Sequence, residues 1–456
     1  MVEIKYKQIL MVLIDGFKEF ILEKSNSTLY YKRFNVKNLL FIVESSVLGV
    51  KYLCEAAKYL NFNPVILSEI TNQEGDAKKQ ILDETYLKCE TSSFDGIVAG
   101  IQNYHEIYEN KKIEGLVTLL DSRIHICSEV SQFLNIKGIE SSCQITKNKQ
   151  NICRDIEEYS PKYFSLEDFY SNKISNYFKN NEKICIKLKY GAGGKGFFIV
   201  DNFEILLEEI SKRSLTPEEF FSQYFLQQYI HGELVSVEGY FLNNEVNIFE
   251  FTGRRKIKDT ECSLVFPYSK NITLIQKDKI YDCLLKIKSH YKLKKSFFHI
   301  EFIITANDIY LIDANIGRPP GGNLIELICY SFGISVTDFF KNYLSIVLKS
   351  NEFLNFKKIK IKDNIYTFND TLNSSKSYLG VGYGVPLSTT FISLDYTSND
   401  NLSYINAIDP NTKVCKMGET NWAWVGLVSG EESNVISELS KIKIITTDGV
   451  FSPVWH

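Results

Sequence analysis

Apolar and polar residues alternate in blocks along the first third of the chain, in a pattern typical of an open α/β domain. Asn38–Val43 (NLLFIV) is an unbroken apolar run, as expected for a buried strand. Apolar residues then recur at helical spacing over 49–60, and Pro64–Leu67 is apolar again. Because strand, helix and strand follow one another, the pattern favours a parallel sheet.

The pattern changes at about residue 147, where paired strands and hairpins begin. Ile184–Lys189 and Phe197–Val200 flank a glycine loop, and Phe297–Thr305 and Ile309–Asn315 form a second pair. We expect fewer helices here than in the first domain. The fold class that follows is α/β at the N-terminus and α+β at the C-terminus. The predicted units are 1–145, 146–345 with a lid at about 184–240, and 346–456.

Composition narrows the class of protein. The 456 residues suggest about three domains, and 44 % hydrophobic with 23 % charged residues is typical of a globular protein. A formal net charge of −3 provides no general field for nucleic acid, so no nucleic-acid partner is expected. No stretch of about 18 apolar residues occurs, which predicts no membrane span. The ten cysteines form no CxxC pair and lie in apolar surroundings, which favours reduced thiols and a cytoplasmic location.

The glycine loop Gly191–Gly196 (GAGGKG) satisfies G-x-G-x-x-G, the pattern of dinucleotide-binding turns. That motif requires a helix after it, whereas the aromatic and β-branched run that follows, Phe197–Val200, predicts a strand. The loop is therefore predicted to be the tip of a β-hairpin. Its backbone N–H groups could close over a phosphate, with Gly193, Gly194, Lys195 and Gly196 in contact. The alternative is a plain glycine-rich turn.

Lys187 lies in the apolar strand that leads into this loop. A lysine in such surroundings needs an anionic partner, since burial of an unpaired ammonium is costly. We interpret Lys187 as a phosphate contact. The alternative is a lysine on a solvated strand face.

A polar constellation marks the hairpin from His299 to Asn315. If the strands pair around Asn307, residue 305 lies opposite 309, 303 opposite 311 and 301 opposite 313. Glu301 then faces Asp313 with Cβ atoms about 5 Å apart. Asn315, two residues beyond Asp313, points to the same face.

Two carboxylates this close repel each other unless a cation lies between them. An all-oxygen set matches Mg²⁺, with Mn²⁺ as a second candidate, so Glu301, Asp313 and Asn315 are predicted metal ligands. The alternative is a pair of surface acids. A phosphate flap and a magnesium site together indicate nucleoside triphosphate chemistry. Arg318 follows in a loop of glycines and prolines, where its guanidinium could bind a carboxylate or phosphoryl group or serve a purely structural role.

These features together resemble the ATP-grasp superfamily, and in particular its carboxylate–amine ligases, most strongly over 147–333. The N-terminal domain resembles the pre-ATP-grasp fold that accompanies it. The resemblance implies that Lys149 and Lys187 contact the ATP phosphates, with Lys147 as a rival for the first position. It also implies an ATP-grasp fold for residues 146–345.

The resemblance further assigns the segment Phe225–Glu233 to the nucleotide hinge. Gln228 and Ile230 would contact adenine through their main chains, and Glu233 would contact the ribose. Gln227 stands where the family usually has an acid. The metal ligands of the family come from a hairpin that ends E-x-N, which is Asp313-Ala-Asn315 here.

Two arginines are candidate catalytic residues, together with Lys187. The family usually has N-x-R, whereas Arg318 comes one residue later, after Asn315-Ile-Gly. Arg254 or Arg255 stands where members often place a substrate or phosphate contact. A solvated basic strand is the alternative for Arg254 and Arg255.

The resemblance implies an ATP-dependent ligase that joins a small carboxylate to an amine through an acyl phosphate. Two alternatives stay open: a carboxylase of the biotin carboxylase type, and an ATP-binding regulatory protein without turnover. Neither substrate is identified by the sequence. Dimers are common among similar ligases, which leaves a homodimer open.

Overall fold

The computed structural model describes most of the chain from Asn38 onward. The described residues are 38–43, 47–69, 85–107, 112–180, 182–191, 196–321, 323–348, 361–362, 365–366, 376–396, 399, 401–406, 408–420 and 423–456. Within them both helices and sheets occur, so the mixed α/β class is confirmed.

A parallel sheet with the order β3-β2-β1-β4-β5 lies at the N-terminal end of the described chain. Its strands are β1 (Asn38–Val43), β2 (Phe62–Ser68), β3 (Thr85–Lys88), β4 (Ile113–Thr118) and β5 (Lys137–Gly138), and its helices are α1 (Val47–Tyr59), α2 (Phe94–Ile107) and α3 (Ile124–Phe133). The apolar stripe predicted for α1 is buried at Val50, Leu53, Cys54 and Ala57. The parallel sheet predicted for this region is therefore confirmed.

A small four-stranded antiparallel sheet with the order β6-β9-β7-β8 follows. Its strands are β6 (Tyr163–Phe164), β7 (Ile184–Leu188), β8 (Phe198–Val200) and β9 (Tyr224–Gln228), and the helices of this region are α4 (Ser142–Ile145), α5 (Lys149–Asp155), α6 (Leu166–Tyr170), α7 (Lys173–Phe178), α8 (Phe203–Lys212) and α9 (Pro217–Gln223). The segment after Gly196 is a strand paired with β7, as predicted. The expectation of fewer helices beyond residue 147 than in the first domain is wrong for the described residues. Short helices with strong N-caps, such as the capping box of Thr216 at α9, are too brief to show a long apolar period.

The largest sheet has eight strands, of which five come from the middle of the chain. These are β10 (Glu233–Leu242), β11 (Glu245–Ile257), β12 (Thr260–Phe266), β13 (Lys295–Ile304) and β14 (Ile309–Ile316), with helix α10 (Leu274–His290) between β12 and β13 and helices α11 (Leu324–Phe332) and α12 (Val336–Val347) after β14. One face of β13 presents Phe298, Ile300 and Phe302 to an apolar core shared with α10. The opposite face carries His299 and Glu301.

The C-terminal region extends this sheet from β12 in the order β12-β17-β21-β19. Its elements are β15 (Ile361–Lys362), β16 (Ile365–Tyr366), β17 (Tyr378–Tyr383), β18 (Thr389–Asp395), β19 (Ser403–Asn406), β20 (Lys413–Val414), β21 (Gly426–Glu431), α13 (Glu432–Leu439), β22 (Lys443–Thr446) and β23 (Gly449–Phe451). The pairing of β12 with β17 crosses the predicted boundary at 345–346 within one sheet.

Two predictions from composition concern the whole chain. All ten cysteines are free thiols, and nine of them are at least partly buried. In the described part of the chain, the helices are too short or too polar to cross a membrane.

Candidate functional site

The β13–β14 hairpin brings the predicted carboxylates together. Glu301 lies opposite Asp313, as predicted, although the pairing nearer the tip differs by one residue. Phe302 pairs with Leu311 and Ile304 with Ile309, because a bulge next to Glu301 inserts Ile312 into β14. The sequence pattern does not reveal such a bulge, since the strand stays apolar on both sides of it.

Asp313 is neutralised by Lys149, whose ammonium forms an ion pair with its Oδ1. Lys149 begins α5, where the side chain of Asn148 caps the helix by accepting from the backbone N–H groups of Gln150 and Asn151. The Lys149 N–H donates to the carbonyl of Lys189 at 3.0 Å, which ties α5 to the glycine-loop strand. Burial lowers the pKa of Lys149, but the charges of Asp313 and Glu301 outweigh it and raise the pKa above its ordinary value.

Glu301 is neutralised by Arg254 on β11. The Arg254 guanidinium pairs with Oε1 of Glu301 and with Glu261, to which its Nε donates at 2.7 Å. Burial opposes ionisation of Glu301, but Arg254 and then His299 hold the pKa of this carboxyl well below its usual range.

A buried polar layer lies beneath this ion pair. His299 contacts Glu238 through Nδ1 at 2.8 Å and Oε1 of Glu301 through Nε2 at 3.2 Å. Glu238 is fully buried and also accepts from the hydroxyl of Thr252 at 2.6 Å. Burial lowers the pKa of His299, but its contacts with the two glutamates raise it overall. These contacts therefore hold the Glu301 carboxylate in a defined position.

The donor set at the hairpin fits Mg²⁺. The side chains of Glu301 and Asp313 are 19 % and 21 % exposed, so both can be reached from solvent. Arg254 and His299 both contact Oε1 of Glu301, which leaves its second oxygen for a cation. Asn315 donates to Asp313 at 3.3 Å, so its side chain lies on the same side of the hairpin. Among the described residues, no cluster of three or more His, Cys, Asp or Glu side chains could hold a metal, and this set instead combines two carboxylates with an amide.

Lys187 reaches the same hairpin from the small sheet. Its ammonium donates to the Ile312 carbonyl at 3.1 Å and to Oε1 of Gln227 at 2.9 Å. Gln227 is fully buried, and its amide also contacts the Cys153 thiol at 2.9 Å. Gln227, where the family usually has an acid, therefore acts as a neutral acceptor that orients Lys187.

The predicted hinge residues follow β9 and begin β10. The Gln228 N–H donates to the Lys162 carbonyl at 2.7 Å, so a main-chain contact to adenine would have to use the Gln228 carbonyl. Ile230 lies in the connection to β10, and Glu233 begins that strand and accepts a hydrogen bond from the Tyr268 hydroxyl.

Of the glycine loop, only its ends are described. Gly193, Gly194 and Lys195 lie outside the described residues. Gly196 has φ of +70°, and a Cβ there would lie 2.9 Å from the Leu188 side chain. Only glycine meets both demands without strain.

A third acid, not singled out from the sequence, joins two of the predicted cations. Asp121 follows β4 and accepts from Lys147 at 2.5 Å and from Nε of Arg318 at 3.3 Å. Burial disfavours its charge, but Lys147 and Arg318 hold the pKa of Asp121 far below its usual range. A signal was present, because an acid directly after an apolar strand of a parallel sheet lies at the carboxyl edge where ligands bind. Lys147 thus faces Asp121, whereas Lys149 faces Asp313.

The small sheet, the large sheet with its paired carboxylates, and the lysines between them form the arrangement that the resemblance to the ATP-grasp fold predicts. Residues 201–325 match the model of the family described as ATP-grasp domain. The prediction of an ATP-grasp domain and the predicted fold class are therefore confirmed. None of the curated proteins matches this chain in sequence.

Solved structures of this fold are similar over nearly the whole chain. Phosphoribosylglycinamide synthetase from Anaerococcus prevotii aligns with a TM-score of 0.65 at 16 % identity, covering 90 % of this chain and 100 % of that one. L-amino acid ligase from Bacillus licheniformis has a TM-score of 0.66 at 14 % identity, with 90 % and 99 % covered. A biotin carboxylase from Campylobacter jejuni has a TM-score of 0.64 at 11 % identity, with 91 % and 92 % covered. At these identities the similarity concerns the fold.

Proposed function

We propose that this protein is an ATP-dependent ligase that joins a carboxylate to an amine through an acyl phosphate, with release of ADP and phosphate. The observation that carries the proposal is the pairing of Glu301 with Asp313 on a hairpin that Lys149 and Lys187 contact from other elements. Two acids and two cations around one hairpin suit a triphosphate and its metal ion. Small carboxylates and amines are the proposed partners.

ATP would lie between the small and the large sheet. Lys149, Lys187 and the loop residues Gly193, Gly194, Lys195 and Gly196 would hold its phosphates. The main chains of Gln228 and Ile230 would contact adenine, and Glu233 the ribose. Lys149 is favoured over Lys147 as the first phosphate lysine, since Lys147 is already engaged by Asp121 away from the carboxylate pair.

Glu301, Asp313 and Asn315 would hold Mg²⁺. When bound, this ion neutralises charge on the β- and γ-phosphates. The lysines would add to this effect and hold the triphosphate in line with the acceptor. Such a site acts mainly by positioning and by electrostatic stabilisation.

The reaction would have two steps. A carboxylate oxygen of the substrate attacks the γ-phosphorus and ADP leaves, which forms an acyl phosphate. The amine nitrogen then attacks the acyl carbon, phosphate leaves, and the nitrogen loses a proton to form the amide. Arg318 would stabilise charge on the carboxylate and on the tetrahedral intermediate, while Arg254 holds Glu301 and would contact a phosphate or the substrate. The closed loop would keep water from the acyl phosphate.

The test is a screen for ADP release with carboxylic acids and amino acids in pairs, with mass detection of the product. With an active pair, Asp313→Ala and Lys187→Ala should each abolish ADP release without unfolding the protein. Asp308→Asn is the matched control, because Asp308 pairs with Lys279 at the tip of the same hairpin and should have no effect.

Full activity in both alanine variants would refute the assignment of these residues. Two further outcomes would replace the proposed reaction. ADP release that requires bicarbonate and biotin would identify a carboxylase of the biotin carboxylase type. ATP binding without ADP formation across the whole panel would identify a regulatory nucleotide-binding protein.

A further inference from the structure

Asp121 lies at the carboxyl end of β4, next to the switch point of the parallel sheet. β1 lies between β2 and β4 in that sheet, so the chain turns in opposite directions on its two sides. Asp121 begins a short 3-10 turn that leads directly into α3. The acid is therefore fixed to a rigid element 197 residues away in sequence from Arg318.

The loop that carries Arg318 depends on this neighbourhood for its shape. Gly317 has φ of +109°, and a Cβ there would lie 2.9 Å from Ile124 at the start of α3 and 3.1 Å from Ile139. The loop therefore packs directly against the N-terminal domain. The Gly317 N–H also donates to the Phe297 carbonyl at 2.9 Å, which holds its other side to β13.

Asp121 determines where the Arg318 guanidinium points. Its Oδ1 accepts from Nε of Arg318 at 3.3 Å, and Nη1 of Arg318 donates to the carbonyl of Pro319 at 2.9 Å. These two contacts leave Nη2 as the end of the guanidinium that can reach a substrate. Lys147 donates to the same oxygen at 2.5 Å and supplies the second charge that balances the acid.

We propose that Asp121 is a positioning residue of the ligase, which holds Arg318 in its working orientation and links the N-terminal domain to the reaction. This inference rests on the proposed function for the role of Arg318. The contact between Asp121 and the Arg318 loop does not depend on that function. A guanidinium that turns away by about 1 Å can cost about 100-fold in rate.

β4 provides a matched control at its other end. Glu114 is also buried and is ion-paired with Lys112 and Lys137, but it lies away from the Arg318 loop. Glu114→Gln and Asp121→Asn both remove one buried negative charge that neutralises lysine side chains. A general loss of stability should therefore appear in both variants. Loss of Arg318 positioning should appear only in Asp121→Asn.

The first arm measures amide hydrogen exchange in peptides that cover 315–321. Asp121→Asn should raise exchange in these peptides by about tenfold, because a buried ion pair is broken on one side of the loop. Asp121→Glu, which keeps the charge, should restore part of the protection, and Glu114→Gln should leave the loop as in the wild type. Equal exchange in Asp121→Asn and the wild type would overturn the proposal, whether or not the ligase reaction is found.

The second arm uses the active substrate pair in a double-mutant cycle. Asp121→Asn should lower turnover about 10- to 100-fold while nucleotide affinity stays unchanged. In the Arg318→Ala background, Asp121→Asn should cause no further loss of turnover, because Asp121 acts through Arg318. Multiplied losses in the double variant would overturn the proposal. A wild type without ADP release on any pair would instead refute the proposed function, and the exchange arm would still decide the role of Asp121.

Discussion

The two faces of the large sheet have opposite characters, although they are built from the same strands. One face of β10 and β13 is apolar and fully buried, with Val235, Val237 and Ile300 packed against α10. The other face carries Glu238, His299 and Glu301, which are also largely shielded from water. The first face can be built from any apolar residues of suitable volume, whereas every group on the second needs a partner. We therefore expect different effects from substitutions at neighbouring residues of β13: loss of activity on the polar face and loss of stability on the apolar face.

The largest effect is expected from Glu301→Gln on the polar face. Loss of the charge removes a candidate metal ligand, so ADP release should fall by about 100- to 1000-fold. Glu261 still neutralises Arg254, and the thermal unfolding midpoint should therefore stay close to the wild-type value. Steady-state kinetics and thermal unfolding on the same samples provide the measurement. A Glu301→Gln protein with a lower unfolding midpoint but wild-type ADP release per folded molecule would contradict this prediction.

Ile300→Ala tests the apolar face one residue away. The side chain is fully buried, so its truncation should lower the free energy of unfolding by about 2–5 kcal/mol. Turnover per folded molecule should change less than tenfold. Denaturant unfolding measures the loss, and Ile300→Val should recover most of it. An Ile300→Ala protein of wild-type stability would show that this face is not the core.

A third prediction distinguishes Lys149 from Lys147 by their effects on ATP binding. Lys149→Met should weaken ATP binding about tenfold or more, because its ammonium lies at Asp313. Lys147→Met should leave ATP affinity nearly unchanged, since its partner is Asp121. Isothermal titration with ATP and Mg²⁺ measures both. The reverse order would make Lys147 the first phosphate lysine.

The smallest effect concerns Glu250 on β11, which lies opposite Glu238 in the register. Burial raises the pKa of Glu250 to about 7, so its proton is held more tightly in the folded than in the unfolded chain. Stability from this group is fully present below about pH 4.5 and is lost as the pH rises to about 7. Glu250→Gln should therefore gain about 1–3 kcal/mol of stability relative to the wild type between pH 4 and pH 8. Parallel pH profiles of unfolding would contradict the assignment.

Features that depend on residues close together in the chain could be predicted from the sequence. β1 was predicted residue by residue, and the pairing of Glu301 with Asp313 followed from alternation along one hairpin. The bulge at Ile312 was missed because a single inserted residue leaves the apolar pattern intact. Helices α10 and α12 are not among the predicted elements, although their buried apolar residues recur at helical spacing.

The roles of Arg254 and Arg318 could be predicted only in part from the sequence. Both were identified as candidates by position, but not their partners Glu261 and Asp121. The amino-acid sequence by itself determined the strands, the loop chemistry and the acids of the hairpin, because these depend on residues a few positions apart. Only the tertiary structure decided which charge neutralises which, because ion pairs form between side chains that folding brings together from distant parts of the chain.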